Sequence, residues 1–253
     1  MKRVLTAAVA IPVVVLITMF SPDWLFAFVV GGVSALSAGE FLSLAEKKGI
    51  GRPGSWFLAL AALVAISFLG GAGWVLATLV LAVLVLMTVT IFSGPIETAL
   101  GRVGMGFGAV VYCSITLGFL VITPRKLILL LFGIVWAGDV AAYYGGRALG
   151  RHFLAPKTSP RKTVEGAIAG FIGSIIAGLI GGVWLPGESW VTLAGISAAT
   201  AIAGQLGDLA ESALKRSADV KDSSSILPGH GGILDRLDSL FFAAPLFYWL
   251  LNR

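Results

Sequence analysis

Long apolar runs recur along this chain almost without a break, at about residues 4–20, 24–44, 55–70, 73–92, 104–122, 127–147, 164–185, 190–214 and 233–251. A helix needs about 17–25 mostly apolar residues to cross a bilayer. Backbone polar groups inside lipid have to be satisfied within the segment. The runs therefore predict about nine transmembrane helices, an all-α polytopic membrane protein, with no room among 253 residues for a separate soluble domain. A composition of 57% hydrophobic and 12% charged residues excludes an ordinary soluble globule, a disordered chain and a collagen-like one. The lone Cys113 excludes a disulfide framework and reads as packing. Lys2 and Arg3 ahead of an apolar run also fit a signal peptide, but no small-residue cleavage site follows, and Ser21-Pro22-Asp23 reads as a turn.

The net charge is +5. On a soluble chain that would point to nucleic acid; on a polytopic one it is what cytoplasmic loops require, and no nucleic-acid partner is expected. With the N-terminus inside, one side receives fifteen of the eighteen basic residues, and the other receives Arg125, Lys126 and Arg253. That asymmetry predicts a cytoplasmic N-terminus, an outside C-terminus and an odd number of spans. Only Asp23, Glu40, Glu46 and Glu97 among the acidic residues precede residue 138. Residues 1–125 accordingly read as a lipid-facing transmembrane scaffold, and 126–253 as a transmembrane region that carries the polar groups, most of them on the cytoplasmic side, within one membrane domain.

Asp139 lies inside the sixth apolar run. A carboxylate there costs roughly 2.5–3.5 kcal/mol on insertion scales, so it should face a partner, a metal or a wet cavity. The plain alternative is a structural pairing with a basic residue such as Arg147. Asp208, Glu211, Ser212 and Lys215 follow i, i+3, i+4, i+7 spacing and would share one helix face. The densest polar stretch runs from Lys215 to Asp238, with both charge signs interleaved. Carboxylates that hold Mg²⁺ and basic groups that hold phosphate oxygens suit a metal–phosphate site. Gly229, Gly231 and Gly232 allow a close backbone approach, and the turn feeds a helix starting near Ile233 whose first amides could face an anion. Ser159-Pro160 reads as a helix cap and first-turn proline. With Arg161 and Lys162 it makes either a phosphate seat or a positive-inside anchor, and both readings stay open. A phosphate monoester nucleophile is already ionised near neutral pH, so His230 reads as a phosphate or loop contact rather than a base. His152 reads as interfacial packing.

The stretch from Ser212 through Lys215-Arg216, Lys221-Asp222, Pro228, His230-Gly231-Gly232 and Asp235-Arg236 to Asp238 resembles the signature of the phosphatidate cytidylyltransferases, or CDP-diacylglycerol synthases. Gly207-Asp208-Leu209-Ala210-Glu211-Ser212 is similar to the family's G-D-L-x-E-S. Residues 154–163 are similar to its L-A-P-x-x-S-P-x-K-T, and Glu165-Gly166 continue that pattern. Asp139 to Tyr143 resembles A-D-S-G-A-Y, with Gly138 for the first alanine and Val140 for a common serine. Residues 136–240 match well, and 1–130 only in hydropathy and layout.

The resemblance implies a divalent-metal-dependent membrane enzyme that makes CDP-diacylglycerol and pyrophosphate from CTP and phosphatidate in phospholipid biosynthesis. It implies Asp208 and Asp235 as metal ligands, with Mg²⁺ or Mn²⁺ and room for a monovalent cation such as K⁺. It makes 126–253 the catalytic region, with a catalytic set of Asp208, Asp235, Asp222, Lys221 and Lys215. Substrate contacts would come from Ser159, Lys162, Thr163, Ser212, Arg216, His230, Gly231, Gly232, Arg236, Asp238 and Asp139. A homodimer and a place in a bacterial inner membrane are further expectations. The rivals are a CTP-dependent lipid-alcohol kinase, which would release CDP, and an ion-coupled transporter. A CDP-alcohol phosphotransferase is set aside because its D-G-x-x-A-R motif is absent.

Overall fold

The computed structural model describes residues 2–184, 188–226 and 231–252, with side chains from residue 9 onward except Trp184. Helices α1 (Lys2–Phe20), α2 (Asp23–Glu46), α3 (Phe57–Ile66), α4 (Ala72–Phe92), α5 (Ala99–Ala109), α6 (Thr116–Ile122) and α7 (Arg125–Leu149) come first. A hairpin of β1 (Phe153–Ala155) and β2 (Ser159–Thr163) precedes α8 (Val164–Gly181), α9 (Trp190–Ser217) and α10 (Leu234–Leu251). Among the described residues the fold is thus all-α apart from one small hairpin. Six segments among these residues are long and apolar enough to cross a membrane: Asp23–Lys47, Ala72–Phe92, Ile96–Ile122, Arg125–Leu149, Val164–Gly181 and Trp190–Ser217. Val9–Phe20 and Phe57–Gly70 are shorter apolar helices. Large apolar side chains such as Trp74, Ile91, Phe92, Ile180 and Val191 are exposed along these helices. Water would not tolerate so much apolar surface, whereas lipid does.

The chain groups into two compact units, Met1–Ile122 with Ser217–Leu237, and Thr123–Arg216 with Asp238–Arg253.

In the first unit the core is aromatic and aliphatic: Phe26, Phe41, Leu42, Phe57, Phe68, Leu86 and Leu117 are buried. Pro22 and Asp23 open α2, where a first-turn carboxylate favours the helix dipole. Lys47 is its C-cap, and Gly49, at φ 74° in the turn that follows, takes a conformation other residues resist. A π-helical segment, Val110–Ile115, joins α5 to α6 without breaking the rod.

In the second unit α7 and α8 meet along small residues. A Cβ on Gly170 would press on the Gly138 carbonyl and on Ala142. Ser174 Oγ donates across this seam to the Ile134 carbonyl at 2.8 Å. Small residues let membrane helices approach closely, and an interhelical hydrogen bond adds to the packing. Gln205 Nε2 on α9 donates to the Ala167 carbonyl on α8 at 3.0 Å. Gly207 on α9 lies against the Asp238 carbonyl and Phe242 of α10.

Candidate functional site

The Ser159-Pro160 stretch does not cap a helix. Ser159–Thr163 is strand β2, paired antiparallel with β1 in a register that sets Phe153 opposite Thr163 and Ala155 opposite Ser159. The cap is Thr163, whose Oγ1 accepts from the Gly166 amide at 3.1 Å. Ser159 and Thr163 both carry a hydroxyl suited to capping; pairing with β1 decides between them. Glu165 closes the hairpin's base: Oε2 accepts from the Arg151 and His152 amides at 3.0 and 3.3 Å, and Oε1 meets His152 Nδ1 at 2.6 Å. His152 is therefore bound to Glu165, not merely packed at an interface.

The hairpin brings Lys162 to α9, where its Nζ pairs with Asp208 Oδ2. Ser212 Oγ, one turn on, lies 3.4 Å from Asp208 Oδ1. Both members of the ion pair are partly exposed, with side chains 29% accessible. Lys215 Nζ reaches Glu211 Oε2 at 2.5 Å, and Glu211 is fully buried. Burying a lone carboxylate is prohibitive, so Lys215 serves first as the counter-charge of Glu211. Arg216 Nε donates to the Thr158 carbonyl at 3.2 Å, tying the end of α9 to the hairpin turn. Asp139 is exposed on α7. Asp238 Oδ1 accepts from the Ser239 amide at 2.7 Å in α10. Within this unit, then, Ser159, Lys162 and Thr163 of the hairpin and Asp208, Ser212, Lys215 and Arg216 of α9 belong to one joined region.

The other candidate residues lie in the first unit. Gly231 takes a φ of 82°, which only glycine adopts without strain. Asp222 lies beside it, and Lys221, Asp222 and Arg236 are exposed. Asp235, in the first turn of α10, is buried. Its Oδ2 accepts from the Gly232 amide at 2.7 Å and from the Ser223 amide and hydroxyl, each at 3.0 Å. His230 lies outside the described residues, as do Leu227, Pro228 and Gly229.

One residue here escaped the sequence reading. Glu40, buried in the C-terminal half of α2, accepts from Ser223 Oγ at 2.7 Å and Ser224 Oγ at 2.6 Å. It also accepts from the Ile233 and Leu234 amides at 3.0 and 2.8 Å. The amides at the start of α10, expected to face a bound anion, are thus taken by a protein carboxylate. A Cβ on Gly232 would overlap both Ser223 Oγ and Glu40. The signal for Glu40 was present: a carboxylate within an apolar run needs a reason, the same argument that singled out Asp139.

Among the described residues, no group of three or more His, Cys, Asp or Glu side chains comes together as a ready metal cage. Mg²⁺ does not require one, because it is usually held by one or two carboxylates, water and substrate phosphates. Asp208 with Ser212 beside it offers oxygen donors that remain partly accessible, and this donor chemistry fits a hard cation.

Comparison with known proteins bears on what such a region does. Over 124 residues the chain is 47% identical to the phosphatidate cytidylyltransferase of Synechocystis sp., covering 49% of this chain and 42% of that one. Over 122 residues it is 46% identical to that of Bacillus subtilis, covering 47% and 44%. Over 126 residues it is 47% identical to that of Haemophilus influenzae, covering 48% and 44%. The match spans less than half the length of each of these relatives. The model of the cytidylyltransferase family matches residues 1–253, and the chain belongs to that family.

Proposed function

We propose that this chain is a CTP:phosphatidate cytidylyltransferase. The observation that carries the reading is the joining of Lys162 on β2 to Asp208 on α9. Two motifs nearly fifty residues apart, each resembling the same enzymes, meet as a cation and a carboxylate within the second unit.

In the proposed reaction an ionised phosphate oxygen of phosphatidate attacks the α-phosphorus of CTP. The new P–O bond gives CDP-diacylglycerol. The bond from the α-phosphorus to the bridging oxygen breaks, and pyrophosphate leaves with that electron pair. The nucleophile is already ionised, so the chain does not need to remove a proton. Its work is to position two phosphates and balance their charge. Lys162 and Arg216 at the hairpin, Lys215 beyond them, and Lys221 and Arg236 in the first unit are the proposed phosphate contacts. Thr163 and Ser159 hold the hairpin that carries Lys162. Asp208, with Ser212, would hold Mg²⁺, and the motif assigns Asp235 to the same role. Bound Mg²⁺ would neutralise phosphate oxygens as charge shifts to the leaving group.

The charge asymmetry supports a cytoplasmic N-terminus, about nine spans and a site on the cytoplasmic face. The named relatives are bacterial, which supports a bacterial inner membrane.

The test is a product assay on purified protein in detergent, with phosphatidate, CTP labelled on the α-phosphate and Mg²⁺, and with Asp235→Ala alongside. Label in lipid, lost without metal and lost in the variant, is the expected result. Label left in CDP, with phosphate on a lipid alcohol, would replace the reading by a kinase. CTP left intact by folded, metal-loaded protein would remove CTP chemistry altogether.

A further inference from the structure

The cytidylyltransferase reading assigns no role to α2, yet a buried carboxylate that accepts four hydrogen bonds lies there. Glu40 receives four hydrogen bonds from a segment between 183 and 194 residues away in sequence. Each oxygen takes one serine hydroxyl and one backbone amide: Oε1 from Ser224 and Ile233, Oε2 from Ser223 and Leu234. The amides belong to the start of α10, where helix geometry leaves N–H groups without intrahelical partners. A carboxylate there also complements the positive end of the helix dipole. Glu40 is thus a helix cap supplied by another helix. Ser223 Oγ also reaches Asp235 Oδ2, so the same carboxylate steadies the hydroxyl beside a residue assigned to catalysis. A second tie lies beyond the end of α2, where Lys48 pairs with Asp219, itself in a left-handed conformation at φ 56°. Gly232 is held against Glu40 so closely that no side chain fits.

We propose that Glu40 is a positioning residue for the reaction, fixing the segment that carries Asp222, Gly231, Gly232 and Asp235. This rests on the cytidylyltransferase reading for its activity readout. Glu40 acts by setting where those residues stand. A misplacement of about 1 Å in such a segment costs on the order of 10²-fold in rate.

The experiment compares wild type with Glu40→Gln, Glu40→Ala and Ser224→Ala in detergent, using two readouts. The first is amide exchange, by mass spectrometry, of peptides covering 231–237. Glutamine keeps one acceptor oxygen and turns an NH₂ group towards an amide that needs an acceptor, so exchange rises in Glu40→Gln. The second is steady-state kinetics per folded molecule. We expect kcat to fall about 10- to 100-fold in Glu40→Gln, with KM for CTP within about threefold of wild type, and Ser224→Ala to lie between. If Glu40→Ala fails to fold, the glutamine and serine variants decide the matter. Unchanged exchange, or raised exchange with kcat within twofold of wild type, overturns the proposal. A wild-type chain that forms no CDP-diacylglycerol would sink the underlying reading, and the exchange arm would still decide whether Glu40 holds the segment.

Discussion

Asp208 has Lys162 against one carboxylate oxygen and Ser212 near the other, and this small cluster is where residue-scale chemistry is most exposed to test. A metal or a triphosphate arriving here would compete for partners already in place. Lys162 would then pass from Asp208 to a phosphate as the cation takes its carboxylate. Replacing Asp208 with Asn removes the charge with little change in volume; product formation should fall by at least about 10²-fold, while the protein still elutes as folded material. Lys162→Ala should fall comparably. Lys162→Arg should recover only part of the rate, because a planar fork does not place its charge as a compact ammonium does. Wild-type turnover in Asp208→Asn would remove the residue from the site. Much of this cluster was legible beforehand, since the i, i+4 relation of Asp208 and Ser212 follows from helical spacing alone. The partner of Asp208 was not, because helical periodicity says nothing about a residue on a separate hairpin.

Element-scale packing depends on close approach. The α7–α8 seam leaves no room at Gly170 for a side chain. Gly170→Leu should overpack it at about 1–3 kcal/mol, read as a lower melting temperature in detergent, whereas Leu at the open Gly195 should leave melting unchanged. Equal melting of the two variants would show that the seam does not carry the helix pair. The hairpin shows where local reading stopped short. Ser159-Pro160 and Thr163 are both sound helix starts by residue type, only a few residues apart. Choosing between them needed the pairing of Phe153 with Thr163 and of Ala155 with Ser159, a non-local contact.

For the whole molecule, the distribution of basic residues makes a topological prediction. Cys113 is the only cysteine, so a Cys113→Ala background accepts single reporter cysteines. In inside-out vesicles a reporter at Arg151 should react with an impermeant maleimide, and one at Lys126 should not; the reverse pattern would invert the orientation. The apolar character, the helical class and the approximate course of each long helix follow from the sequence itself. Apolar run length, helical spacing and charge placement are local properties, and a membrane helix satisfies its own backbone without outside help. Only the tertiary structure decided that residues 217–237 fold with the N-terminal unit, that a carboxylate in α2 caps α10, and that the Ser159–Thr163 motif is a strand. Those outcomes turn on hydrogen bonds between groups far apart in the chain. A buried carboxylate announces that it must find donors, but where it finds them is a property of the fold.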